Sequence, residues 1–130
     1  MMNFIKTGAL LFILMSVVAC GGKDQKANTN LDDQKEWTEA ELLDKGDKLF
    51  RGKGNCTSCH MADKKMIGPS IREIVKGYDA VGADLEAFLR GKSDAIIEPA
   101  NFSMMQPNLT ITKRFSKMEM DALILYMRSL

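Results

Sequence analysis

Cys56-Thr57-Ser58-Cys59-His60 is the stretch on which the rest of this 130-residue chain turns. Two thiols three residues apart lie about one helical turn from each other, so both can reach two vinyl groups along one edge of a porphyrin and form thioethers. The residue after the second thiol then lies under the ring. His60, the one histidine of the chain, offers an imidazole nitrogen to an iron there. The run therefore predicts one covalently attached haem c, with Cys56 and Cys59 as its attachment points and His60 as a metal ligand.

Two other chemistries share these letters. A thioredoxin-like redox pair also uses C-x-x-C, but it sits in a βαβ context, and no alternation of strand and helix patterns surrounds residue 56. A structural zinc needs four protein ligands, and only Cys56, Cys59 and His60 lie near one another in the sequence.

The N-terminus reads as an export signal. Lys6 supplies the positive region, and Ala9 to Ala19 form an apolar run too short to span a bilayer. The run ends in Val17-Val18-Ala19-Cys20, which resembles a lipoprotein cleavage site. Acylation of Cys20 also accounts for the odd cysteine, which an ordinary secretory cleavage would leave as an unpaired thiol. Residues 21–36 carry a single large apolar side chain, Leu31, and read as a flexible tether; a short fixed helix is the alternative. About sixteen such residues extend by at most roughly 3.3 Å each. The expected organisation is a signal peptide at 1–19, a tether at 20–37 starting from acylated Cys20, and one folded domain at 38–130. The formal charge of +1 includes Lys6, the only charged residue before Cys20. The mature chain is thus near neutral, and no nucleic-acid partner is expected.

Within the domain the helix signals are capping boxes. Thr38-Glu39-Ala40-Glu41 starts a helix that carries Leu42, Leu43, Leu49 and Phe50, with Gly46 allowing close approach of another helix and Gly52 and Gly54 ending it. Ser70 with Glu73 opens a second helix through Gly77, and Asp84 to Arg90 forms a third that ends at Gly91. Residues 93–110, with Pro99, Pro107 and several Asn and Ser, read as a long irregular loop of the kind that carries function. Ser116-Lys117-Met118-Glu119 starts the last helix, where Met120, Leu123, Ile124, Met127 and Leu130 recur at helical spacing. No useful strand alternation occurs. The expected fold is all-α, with the first and last helices crossing and a bound haem completing a core too small to stand alone.

Gly46 to Phe50, the C-x-x-C-H run, Ile67-Gly68-Pro69, Met105-Gln106-Pro107-Asn108 and a C-terminal helix with Leu125 to Leu130 follow one another in an order that resembles a class I monohaem cytochrome c of the small bacterial type. The resemblance spans roughly residues 38–130. It implies the cytochrome c fold, with shorter helices and loops wrapping the haem, and it implies that Gly46 and Phe50 meet the last helix near Tyr126. It also implies that the Pro69 carbonyl accepts from the second ring nitrogen of His60. With no second histidine, the other face of the iron is left to methionine, lysine, water or nothing. Met104 and Met105 both stand in the long loop. The resemblance points to Met105, because Met105-Gln106-Pro107-Asn108 matches the family's Met-Pro-Pro-Asn loop with one proline replaced by Gln106.

The function so implied is one-electron transfer by an electron carrier, not an enzyme, held on the periplasmic side by its lipid anchor. Its partners would be redox proteins of a respiratory chain or a periplasmic reductase or oxidase, and it would act as a monomer. Lys48, Lys53, Lys64 and Lys65 flank the haem motif and offer a steering patch, or simply a solvated surface. The alternative function is a haem sensor or small peroxidase with a vacant or labile sixth position.

Overall fold

Thr38 caps the first helix as its sequence directs. Its hydroxyl accepts from the Glu41 amide at 3.3 Å while the Glu41 carboxylate accepts from the Thr38 amide at 2.9 Å. In the computed structural model, which describes residues 35–130, the helix runs over Glu39–Arg51 (α1) and closes with the Gly52 amide on the Lys48 carbonyl at 2.9 Å. The signal segment, Cys20 and nearly all of the expected tether lie outside the described residues. Trp37, assigned to the tether from its sequence, is half-buried and packs against the core, so the folded unit takes in the residue before the cap.

Four further helices follow, and among the described residues there is no strand: Ile71–Ala80 (α2), Leu85–Leu89 (α3), Phe102–Thr112 (α4) and Lys117–Ser129 (α5). Ser70 caps α2 by accepting from the Glu73 amide at 3.2 Å, and the helix continues three residues past Gly77 because Ile71, Ile74 and Tyr78 give it an apolar stripe. Asp84 caps α3 through the Ala87 amide at 3.0 Å. The turn after α3 needs Gly91, whose φ of +70° is the left-handed conformation that most side chains resist.

The expectation that fails is the loop at 93–110. Its second half is helical, as a short 3-10 turn at Pro99–Asn101 followed by α4, which holds Pro107 in its interior. Local signals argue against this helix, since Pro107 removes a backbone bond and Asn101 gives no side-chain cap. Tertiary contacts override them. Phe102, Met105, Leu109 and Thr112 recur along one face and turn inward, the Phe102 and Phe88 rings lie 5.8 Å apart, and the buried Thr112 hydroxyl donates to the Leu89 carbonyl at 2.6 Å.

The frame that holds these pieces is the packing of α1 on α5. Leu49 and Phe50 face Ala122, Leu123 and Met127, all buried, and the Phe50 and Tyr126 rings tilt against each other at 5.5 Å. Each fully buried large apolar side chain contributes about 1.5–3 kcal/mol. At its outer end α5 is tied to α2 by the Arg128 guanidinium, which grips Asp79 with two bonds of 2.7 and 2.8 Å. The fork geometry makes this the best-formed surface ion pair of the fold.

Glu119 begins α5 with the Ser116 capping box and also takes Lys53 at 2.9 Å, joining the start of α5 to the turn after α1. Burial pushes its carboxyl up, but the Lys53 ammonium and the Ser116 amide outweigh that and hold it below its ordinary 4.5. A depressed acid stabilises the fold fully above its unfolded pKa and loses that contribution as pH falls through its folded value. Glu119→Gln is therefore expected to lower the unfolding midpoint at neutral pH. The gap to the unsubstituted protein should close below about pH 4.5, as thermal melts across an acid series would show.

Candidate functional site

The C-x-x-C-H run folds as one tight 3-10 turn over Cys56–Ser58. Asn55 enters it at φ +50°, a conformation that asparagine tolerates better than most residues, and the Ser58 hydroxyl donates to the Asn55 carbonyl at 2.7 Å. The amides of Cys59 and His60 then share the Cys56 carbonyl, at 3.1 and 2.9 Å. This turn leaves Cys56, Cys59 and His60 all half-buried.

Beyond His60 the chain doubles back. The Gly68 amide donates to the Cys59 carbonyl at 3.0 Å, and the Ile71 and Arg72 amides reach the carbonyls of Met61 and Ala62 at 2.9 and 3.1 Å. The fold-back brings the Pro69 carbonyl oxygen to 2.7 Å from His60 Nδ1. A carbonyl only accepts, so Nδ1 carries the proton and Nε2 keeps its lone pair for a metal. Gly68 is needed for the approach: a Cβ there would sit 2.5 Å from His60 Cε1 and 2.9 Å from Nδ1.

These residues border a cavity of about 280 Å³. That is near the small end of ligand sites, which run from about 300 to 1,000 Å³. Its walls are mostly apolar, with Ile71 and Ile74 of α2, Leu85 and Phe88 of α3 and Leu123 of α5. Cys56, Cys59, His60, Met104 and Met105 line it as well. The two methionines differ in burial. Met104 is 59 % exposed, whereas Met105 is half-buried and packs against the core. Asn108, one turn further along α4, donates to the Gly54 carbonyl at 3.0 Å and so fastens the methionine-bearing helix to the segment that carries the thiols.

The donor chemistry fits a covalently held haem better than the alternatives. Burial pushes the Cys56 thiol up to about 11, so it stays protonated at neutral pH. A redox-active C-x-x-C pair needs the opposite shift. A thioether carries no charge and loses nothing by being buried there. For zinc, among the described residues no three His, Cys, Asp or Glu side chains are grouped as a metal site requires.

Two contributors were not singled out in the sequence. One is Gly68 as the seat of the imidazole. The other is Tyr78, only 2 % exposed, whose side chain lines the cavity and whose buried hydroxyl makes no hydrogen bond; the Ile96 backbone lies near it without completing one. A buried unsatisfied hydroxyl costs about 1–3 kcal/mol. The available signal was a polar-tipped aromatic at the i+7 position of the stripe Ile71, Ile74, Tyr78. The lysine patch is weaker than its sequence suggests: Lys48 pairs with Asp44, Lys53 with Glu119 and Lys65 with Glu98, which cancels much of its charge.

Comparison with known proteins gives the same direction. The family described as Cytochrome c matches residues 43–130. Cytochrome c-551 of Azotobacter vinelandii is 35% identical over 63 residues, covering 43% of this chain and 76% of the relative. Cytochrome c-551 of Pseudomonas denitrificans is 40% identical over 37 residues, covering 28% of this chain and 44% of the relative.

Proposed function

The chain belongs to the cytochrome c family and binds a c-type haem covalently, and on that premise we propose that it is an electron carrier whose iron is held by His60 and Met105. Cys56 and Cys59 provide the two thioether links. The observation that carries this reading is the convergence of both thiols, the imidazole and the Met105 thioether on one largely apolar cavity. When bound, the haem supplies a one-electron couple, ferric to ferrous, in which no bond is made or broken.

The protein's own groups set the terms of that couple. The Pro69 carbonyl fixes the plane of the His60 ring and raises its basicity through Nδ1. A thioether opposite the imidazole favours the ferrous state and raises the potential. Apolar walls exclude water and keep the added charge of the ferric state costly. Ile67 and Met104 line the cavity and are 55 % and 59 % exposed, an apolar mouth at which a redox partner can dock through a small, transient interface. The partners in this reading are redox proteins of a respiratory chain or a periplasmic reductase or oxidase, met by a monomer.

Cys20 is the proposed lipid anchor, holding the domain on the periplasmic side of a membrane. Among the described residues no helix is long and apolar enough to cross one. Mass spectrometry of the denatured, acid-extracted protein tests covalent attachment and anchoring together. The expected chain starts at Cys20 and carries one haem and the acyl groups. A haem lost on extraction would defeat the Cys56 and Cys59 assignments, and an unmodified Cys20 would defeat the anchor.

A further inference from the structure

Glu98 stands where a glutamate is costly. Its backbone lies in the left-handed region, at φ +50° and ψ +54°. Among the described residues the only other non-glycine residue there is Asn55, and asparagine tolerates that conformation far better than glutamate does. A strained position of this kind persists where its surroundings fix it, and such positions gather at functional sites.

What fixes Glu98 is its carboxylate. One oxygen accepts from the Lys65 ammonium, 33 residues away, and the other accepts from the Asn101 side-chain amide at 3.0 Å. Lys65 belongs to the fold-back beyond His60, where the Met66 amide donates to the Gly68 carbonyl at 3.0 Å and Gly68 seats the imidazole. Asn101 leads into α4, the helix that carries Met105. Glu98 and Asn101 line the cavity together with Ile67, Gly68 and Pro69 of the fold-back. The carboxylate therefore ties the segment that carries Met105 to the segment that seats His60. Lys65 and then Asn101 hold the carboxyl below its ordinary 4.5, so it is charged at neutral pH.

The backbone gives this stretch little other hold. From residue 93 to residue 98 no amide donates to a backbone carbonyl, and the bonds resume with the Asn101 amide on the Glu98 carbonyl at 2.9 Å. Ile97 and Phe102 pack against the core, but apolar contacts lack the direction of a hydrogen bond. We propose that Glu98 is a positioning residue: by gripping Lys65 and Asn101 it keeps the stretch 93–105 closed on the cavity, and so sets how rarely the cavity opens beside Met105 to a small ligand. The access of a ligand to the iron rests on the Met105 ligation read above; the closure of the stretch does not.

Glu98→Gln keeps the size of the side chain and removes its charge. In the haem-loaded protein, amide hydrogen exchange of the peptide 93–105 is expected to rise by about fivefold, the upper end for a partly exposed ion pair, while peptides from α1 and α5 keep their rates. Azide binding to the ferric form should quicken by a similar factor. Exchanging the charges, with Lys65→Glu and Glu98→Lys together, should return both readouts toward those of the unsubstituted protein. Unchanged exchange in 93–105 overturns the proposal. An equal rise in α1 and α5 also overturns it, because the pair would then serve overall stability alone. So does a charge exchange that leaves the peptide as fast as in Glu98→Gln. If Glu98→Gln does not retain haem, Lys65→Met removes the pair from its other end, with the same expected result and the same overturning ones. A sulfur-to-iron band absent from the unsubstituted protein would defeat the Met105 assignment, while the exchange of 93–105 would still decide the role of Glu98.

Discussion

Gly46→Val is expected to cost about 3 kcal/mol of stability and to lower the melting temperature of the haem-loaded protein by roughly 12–24 °C. A Cβ at Gly46 would stand 2.1 Å from the Ala122 carbonyl oxygen, 2.5 Å from Tyr126 Cβ and 2.9 Å from the Ala122 carbonyl carbon. None of these atoms is the free end of a side chain, so only a shift of α5 away from α1 makes room. That shift would loosen Leu49 and Phe50 from Leu123 and Met127, in an interior too densely packed to absorb it. Overpacking usually costs 1–3 kcal/mol, and this site belongs at about the top of that range because the whole frame depends on the crossing.

Gly77 gives the contrast. A Cβ there meets Ile97 Cδ1 at 2.3 Å, the mobile tip of a side chain, and α2 gains up to about 1 kcal/mol of helix propensity from Gly77→Ala. Thermal unfolding followed by circular dichroism should leave Gly77→Ala within a few degrees of the unsubstituted protein while Gly46→Val falls far below it. Similar melting points for all three would mean that the α1–α5 contact is not the frame.

The same crossing shows why much of the fold was legible. Thr38 and Ser116 announce helix starts through bonds to residues three positions on, and Gly46 stands in a helix where glycine would otherwise be a cost, so its local signal already implied a close neighbour. Signals of this kind act within one turn of chain. Helix α4 failed the same reading because everything that stabilises it is distant: the Phe88 ring, the Leu89 carbonyl and the Gly54 carbonyl are supplied by segments 14 to 54 residues away. Pro107 and the uncapped Asn101, by contrast, are local and point the wrong way.

The site divides along the same line. The thiols and the imidazole are contiguous, and the spacing of their attachment chemistry is written in the sequence. Tyr78 is not, since an aromatic in an apolar stripe reads as core, and only the burial of its hydroxyl without a partner distinguishes it. The lysines near the motif, read as a steering patch or a solvated surface, also depend on distant residues: Glu98 and Glu119 lie 33 and 66 residues from Lys65 and Lys53, which they neutralise.

Met105→Ala should produce the largest change in the electronic properties of the bound haem. If Met105 is the sixth ligand, its loss leaves water or an open position, and the harder or absent donor no longer favours ferrous iron. The potential is expected to fall by about 0.1–0.3 V, within the roughly 0.8 V that axial ligands control. The ferric charge-transfer band that reports sulfur should vanish, and small anions such as azide should bind where the unsubstituted protein excludes them. Folding should suffer much less than in Gly46→Val, because Met105 is only half-buried and Asn108 still ties α4 to Gly54. Met104→Ala is the necessary comparison. Met104 is 59 % exposed, so its removal should leave the band in place and move the potential by no more than about 0.03 V. A reversal of the two results would transfer the ligand to Met104. A sulfur band absent from the unsubstituted protein would instead favour a sensor or small peroxidase, because an open iron coordination position can bind a substrate and a position filled by a thioether cannot.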